Sequence, residues 1–361
     1  MKALVSNHSL LARVANLSLG KSFGRGADFK DVPVPKISDD EILVKVRTVA
    51  LNPSDFKHID VLSPPNSITG CDYAGEVAAV GSNAAKTWTI GDRVAGVVHG
   101  GLYPDRGAFA EYLKTDADLA WKIPAETTNA QATTYGVSAS TAALCLFSRH
   151  GLPWPDETAE TVQTASTDRP AIFIYAGSTS AGLFHIQLAK AAGYTVVTTA
   201  SPHSFDLVKS YGADYVFSYR SPTVAEDIVK QFPNISKAVD CFSEGKSTDV
   251  CASVLKNKGG KVVVLLDRGK SKTPGVEYEL VMAYTVFGRA FTWLPPIGPK
   301  WEANPSDRKL LVDFCAVLPE LTKTVKPLPI TMLDGGFDAI LVGLNKLRAG
   351  EVSGSKLVIN L

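Results

Sequence analysis

The chain has 361 residues, more than one hydrophobic core ordinarily supports, so two domains are expected. Hydrophobic residues make up 45% and charged residues 20%, with a formal net charge of +1. That balance excludes a polyelectrolyte surface and with it nucleic acid as a partner, and no uncharged apolar run is long enough to span a bilayer.

The N-terminal stretch MKALVSNHSLLARVANLSLGK carries Arg13 within its most apolar part and has no small-residue cleavage pattern, which argues against a secretory signal. Short β-branched segments such as EILVKVRTVAL, AGEVAAVG and DRVAGVV, separated by Gly, Pro, Asp and Asn turns, make the first ~130 residues read as all-β, barrel-like or sandwich-like. From Asn129 a helical pattern runs through QATTYGVSASTAALCLFSRHG and stops at Gly151; LPWPDETAETVQTASTDRP then reads as a polar surface loop. Residues 171 to about 290 alternate strand and helix, from AIFIYAG to KVVVLL, which implies a parallel, doubly wound sheet with KVVVLL as its last strand. After Gly288 a proline-rich loop leads to a long helix and a final strand, KLVIN. The five cysteines (71, 145, 241, 251, 315) are scattered, odd in number and without a C-x-x-C pair, so reduced thiols in the cytosol are expected.

The segment AGSTSAG (176–182) follows a strand and opens a helix, as a dinucleotide loop does, but of the G-x-G-x-x-G pattern only Gly177 and Gly182 remain. The first glycine of such a loop permits a tight turn and the last lets helix pack on strand, so Gly177 and Gly182 are assigned those roles. Ser178, Thr179 and Ser180 offer hydroxyl donors to a diphosphate beside the amides at the helix N-terminus, including that of Ala181. After the next strand, YTVVTTA, an NAD site would place an acid for the ribose 2′-hydroxyl, yet the chain reads ASPHS. A carboxylate there would repel a 2′-phosphate, whereas Ser201, His203 and Ser204 can donate to it. With Tyr219 at the end of the following strand, NADPH is expected over NADH.

Four stretches, VALNPSDFKHID (49–60), GCDYAGEVAAVGSNAAKTWTIGDRVAG (70–96), AGSTSAG with TTASPHSFDLVKSYGADYVFSYR, and GGFDAILVGLNKLRAGEVSGSKLVINL, resemble the medium-chain dehydrogenase/reductase superfamily. Within it the chain looks most like the trans-acting enoyl reductases of fungal polyketide synthases and synthase/peptide-synthetase hybrids. The resemblance implies a GroES-like β-domain over 1–134, completed by 289–361, and a Rossmann domain over 135–288. Zinc alcohol dehydrogenases carry Cys where this chain has Asn52, and Gly-His-Glu where it has Gly70, Cys71 and Asp72. One thiol and one carboxylate do not make the three-ligand site a catalytic zinc needs, and the four-cysteine structural lobe is missing, so no metal is expected.

Hydride addition to an already polarised double bond is the chemistry left, and an α,β-unsaturated thioester on a synthase carrier domain is the implied substrate. By the same resemblance, Lys57 and Thr141 line the nicotinamide end. An ammonium there can bind the cofactor ribose, stabilise the enolate or supply a proton, and these roles stay open. Leu266, Val352 and Ser353 are expected against the cofactor, and Phe287 and Gly288 beside the acyl chain. A free-standing quinone or enone reductase shares the fold and the hydride step, and a non-catalytic NADPH-binding scaffold is the alternative of another class. A monomer without membrane attachment is expected, since basic residues and Pro274 after KVVVLL would discourage pairing at the sheet edge.

Overall fold

The computed structural model describes residues 1–154 and 169–361. Most of the expected surface loop at 152–170 therefore lies outside the described residues. The chain divides into two compact units, Met1–Val137 with Tyr284–Leu361, and Ser138–Ala283. The family resemblance implied joins at 134/135 and 288/289; by packing, Phe287 and Gly288 belong with the β-rich unit.

The hub of the β-rich unit is the strand Glu41–Ala50, whose alternating valines turn one face into a core. It pairs antiparallel with Asp72–Val80, Tyr112–Asp116 and Lys356–Asn360. From Asp72–Val80 the sheet continues through Arg93–Val97 to Ala120–Lys122, while Ile330–Met332 adds in parallel to Lys356–Asn360. Register shifts at Leu43/Val44 and Val46/Thr48 mark irregularities of the kind that bend and twist a sheet. Val44, Val46, Tyr73, Phe109, Ile340 and Leu357 fill its core. The all-β expectation for the first part of the chain needs correcting. A helix at Leu10–Leu19 and a shorter one at Pro53–Lys57, continued by a π-helical turn at His58–Leu62, interrupt the strands. Helix Leu10–Leu19 escapes detection because its inward face is polar, at Arg13 and Asn16, where an inward apolar stripe would normally mark a helix.

In the second unit six strands are all parallel, in the order Tyr215–Ser218, Thr195–Ala200, Ala171–Tyr175, Lys237–Asp240, Gly260–Val264, Val276–Leu280. The first strand in sequence lies in the middle. The winding reverses beside it, which opens a crevice at the carboxyl ends of the strands where ligands of doubly wound sheets bind. KVVVLL is not the last strand, as expected from sequence: Val276–Leu280 adds a sixth. That new edge carries Glu277 and Glu279, and Glu279 pairs with Lys261 at 2.6 Å and Arg149 at 3.3 Å. The argument for a blunted edge from Pro274 therefore falls, since the strand it preceded covers that edge.

Candidate active site

Helix Ser180–Ala191 starts at the carboxyl end of strand Ala171–Tyr175. Thr179 caps it: its hydroxyl accepts from the Gly182 N–H at 3.0 Å and donates to the Ala176 carbonyl at 2.9 Å. That hydroxyl is spent on the turn, so the expectation that Thr179 donates to a diphosphate is corrected. Ser178 and Ser180 remain half-buried at the helix mouth, with the Ser180 and Ala181 amides among the unpaired donors of the first turn. The tight turn is also not where the glycine pattern put it. Ala176 takes φ +61°, whereas Gly177 has no positive φ. Gly177 is needed for closeness instead, because a Cβ there would press on the Thr198 side chain. Gly182 serves the expected helix-to-strand packing, since its Cβ would stand 2.7 Å from the Gly177 Cα. These glycine contacts and the helix N-terminus fit a dinucleotide diphosphate.

At the end of strand Thr195–Ala200, Ser201 and Ser204 are buried and His203 is exposed. The Ser201 hydroxyl lies 3.1 Å from His203 Nε2 and 3.4 Å from Ser204 Oγ. Tyr219 donates its N–H to the Ala200 carbonyl at 3.3 Å, which sets it beside this corner with its ring exposed. Arg220, which the sequence reading passed over, holds its guanidinium 5.6 Å from the Tyr219 ring centroid. The signal was there: a cation two residues past the strand end. Leu266 is half-buried just beyond Gly260–Val264, and Thr141 is buried in helix Val137–Ala143.

In the β-rich unit the residues at the zinc-ligand positions form a different construction. The Asn52 amide donates to Asp72 Oδ2 at 2.9 Å, the Val137 N–H donates to Asp72 Oδ1 at 2.7 Å, and the Lys356 ammonium stands 3.0 Å from Asp72 Oδ2. Lys356 also donates to Asn52 Oδ1. Lys356 and Asp72 are 2% and 0% exposed, so this cation is held out of water in contact with the carboxylate. Burial drives the Cys71 thiol well above its ordinary range, with Asp55 and Asp72 adding to the rise. A fixed ammonium against the one carboxylate does not fit zinc.

Asp55 sits one turn into helix Pro53–Lys57 and accepts the Asn52 N–H at 2.7 Å. Burial above all, with the neighbouring Asp72 charge, pushes its carboxyl up to about 7. Lys57 occupies the last turn of that helix, half-buried, where a cation suits the helix dipole. Phe287 ends the 3₁₀ turn Ala283–Phe287 and stacks on His99, ring centroids 5.9 Å apart; both line a small recess with Tyr103 and Arg289. Gly288 has φ +66° beside the Arg308 side chain. Val352 packs on the β-core and Ser353 is exposed.

Residues 38–125 match the alcohol dehydrogenase GroES-like domain and residues 181–288 the zinc-binding dehydrogenase domain. The chain is 37% identical over 339 residues to the trans-enoyl reductase buaC of Petromyces alliaceus, covering 91% of this chain and 92% of that protein. It belongs to the trans-enoyl reductase family. In fold the reductase resembles the CurK enoyl reductase (TM-score 0.70, 16% identity, 99% of both chains). The mycobacterial protein Rv1454c, solved with NADPH, is similar to the same degree (TM-score 0.70, 17% identity, 100% of both chains). The reductase is thus an oxidoreductase of C=C bonds with a GroES-like unit and an NAD(P)-type Rossmann unit.

Two groups in the reductase were not legible in sequence as partners. His58 and His99 are buried with ring centroids 5.9 Å apart, and Tyr284 stacks on His99 at 3.9 Å. Burial lowers His58 to about 4 and His99 well below its usual value, so both imidazoles are neutral at physiological pH. They form, with Phe287, Phe291 and Trp293, an uncharged aromatic cluster.

Proposed function

We propose that the enzyme reduces the α,β-double bond of an enoyl chain held as a thioester on a carrier domain of a polyketide synthase, using NADPH and no metal. The observation that carries this reading is the Lys356–Asp72–Asn52 network. With an ammonium fixed where a Lewis acid would be needed, no metal is there to acidify an alcohol hydroxyl or polarise the carbonyl it is oxidised to, whereas an enoyl thioester arrives already polarised. NADPH, when bound, supplies the hydride equivalent that adds at Cβ. The negative charge then develops on the thioester oxygen, where Lys57 is assigned to stabilise it, and uptake of a proton at Cα completes the reduction. Thr141 is assigned to the nicotinamide end with Lys57. Ser180 and Ala181 hold the diphosphate by their amides; Ser201, His203, Ser204, Tyr219 and Arg220 take the 2′-phosphate. Leu266, Val352 and Ser353 are assigned to the cofactor, and Phe287 and Gly288 to the acyl chain. The five cysteines are free and buried, in keeping with a reducing compartment such as the cytosol.

Cofactor preference follows from the corner at Ser201. NADPH is expected to be favoured over NADH at least tenfold in kcat/KM, about 1.4 kcal/mol. Arg220→Ala and His203→Ala should each erode that ratio by raising KM for NADPH while leaving KM for NADH nearly unchanged. Equal use of both cofactors by the unaltered enzyme would refute the assignment.

The substrate is tested by following NADPH oxidation with a short enoyl thioester, the same chain on a carrier domain, and a simple quinone. Carrier-bound chain should be turned over fastest, because binding energy remote from the reacting bond raises turnover as well as occupancy. Faster turnover of quinones than of either thioester would replace this reading with that of a free-standing quinone reductase.

A further inference from the structure

Helix Leu10–Leu19 is built inside out. Its buried residues are Arg13 and Asn16. Arg13 donates to the carbonyls of Leu62 (3.3 Å) and Pro295; Asn16 donates to the Asp60 carbonyl at 2.7 Å and accepts the Phe23 N–H at 3.1 Å. The helix is therefore fastened to the β-rich unit by its polar side. Its outward arc carries Leu11 and Leu19, at 83% and 61% exposure, with Phe23 at 53% just beyond the Gly20 cap; Leu17 is exposed on the opposite flank, about 160° around the helix from Leu19. Ordinary surface helices bury the apolar arc and expose the polar one, and among the described residues nothing covers this arc. Leu11, Leu19 and Phe23 expose on the order of 400 Å², within the range of the largest apolar patch of a monomer, where such patches mark binding sites.

The patch has a charge signature. Between Ser9 and Gly26 the chain carries Arg13, Lys21 and Arg25 and no Asp or Glu. Lys21 and Arg25 are exposed at the end of the apolar arc, Arg25 making only a 3.9 Å exposed contact with Asp28. A second copy of this chain would bring like charge to like, and ~400 Å² falls short of the roughly 800 Å² per partner of a standard stable interface. A lipid surface is matched poorly, because interfacial helices array Lys and Arg along their polar face, and here that face is buried with its one arginine.

We infer that the outward face of helix Leu10–Leu19, with Phe23, Lys21 and Arg25, is the docking surface for an acidic, leucine-bearing segment of a separate protein that binds transiently. This inference rests on the proposed trans-acting function, under which that protein is the synthase that presents the enoyl chain. Apolar anchors would set the lifetime of the complex, and the basic rim the rate at which it forms.

The test compares full-length enzyme with the double variant Leu11→Glu/Leu19→Glu and with Lys21→Glu/Arg25→Glu. The probe is the purified iterative synthase encoded nearest to the gene. Expected are a rise of at least tenfold in Kd for the synthase in the leucine variant, and a several-fold, salt-dependent loss of association rate in the charge variant. Both variants should reduce a short free enoyl thioester at the unaltered rate, which shows that they are folded and catalytically intact. Wild-type binding to the synthase that neither variant changes would overturn the inference. So would a wild-type dimer that the leucine variant dissolves in analytical ultracentrifugation, or flotation with phosphatidylserine-containing vesicles that it abolishes. Failure of the wild-type enzyme to reduce any enoyl thioester is a separate result: it removes the proposed function itself, and with it the partner this surface is assigned.

Discussion

Lys57→Ala is expected to lower kcat on a short enoyl thioester by roughly 100- to 1000-fold, the range seen when one donor to a developing oxyanion is removed. Its cost to the fold should be small. Lys57 is half-buried in the last turn of a five-residue helix, where a cation contributes on the order of 0.3–1 kcal/mol through the helix dipole. Midpoint temperature should therefore move by no more than about 4 °C. The split between kinetic constants discriminates the roles left open by sequence. Loss of an oxyanion partner lowers kcat and kcat/KM together, whereas loss of a ribose contact raises KM for NADPH with kcat nearly kept. Loss of a proton donor would remove a basic limb from the pH profile, which Lys57→Arg would shift. If kcat/KM stays within threefold of the unaltered enzyme, Lys57 has no part in the chemistry.

What sequence made legible here, and what it hid, follows from distance along the chain. The strand-to-helix alternation of residues 171 to 264 and the broken glycine loop are local signals, and the parallel sheet and the cap at Thr179 follow from them. VEYEL is hard to read as a strand because it follows a charged, proline-bearing connection and lies at an edge, where of its five residues only Val276 is buried. Helix Leu10–Leu19 was hidden for a different reason: its polar residues point inward, against the pattern by which helices are found. Asn52 and Asp72 drew attention as missing zinc ligands, yet their partner Lys356 lies in the last strand, 304 residues beyond Asn52. No periodicity connects the two. Only the pairing of Lys356–Asn360 with Glu41–Ala50 brings that ammonium to the carboxylate.

Lys356→Met is expected to destabilise the β-rich unit by about 3–5 kcal/mol, the cost of leaving a buried charge without its partner. Methionine nearly conserves the volume, so the loss reports charge more than packing. Asp72 would keep the Asn52 amide and the Val137 N–H, both neutral donors, and lose its only cationic contact among the described residues. Lys356→Met/Asp72→Asn, which removes both charges, should recover most of that loss, because the pair as a whole gains little over a neutral replacement. Urea unfolding of the two variants, read by a probe in the β-rich unit, measures the difference. Activity should follow a different order. Asn52 opens the helix that ends in Lys57, and Asp72 and Lys356 together hold the Asn52 side chain by its nitrogen and its oxygen. In the double variant the oxygen of Asn52 loses its donor even though stability returns, so the start of the helix is less firmly set and kcat should remain depressed. A double variant restored in both stability and kcat would show that the network supports the fold and does not position Lys57. A single variant as stable as the unaltered enzyme would mean that the Lys356 ammonium is not what holds Asp72.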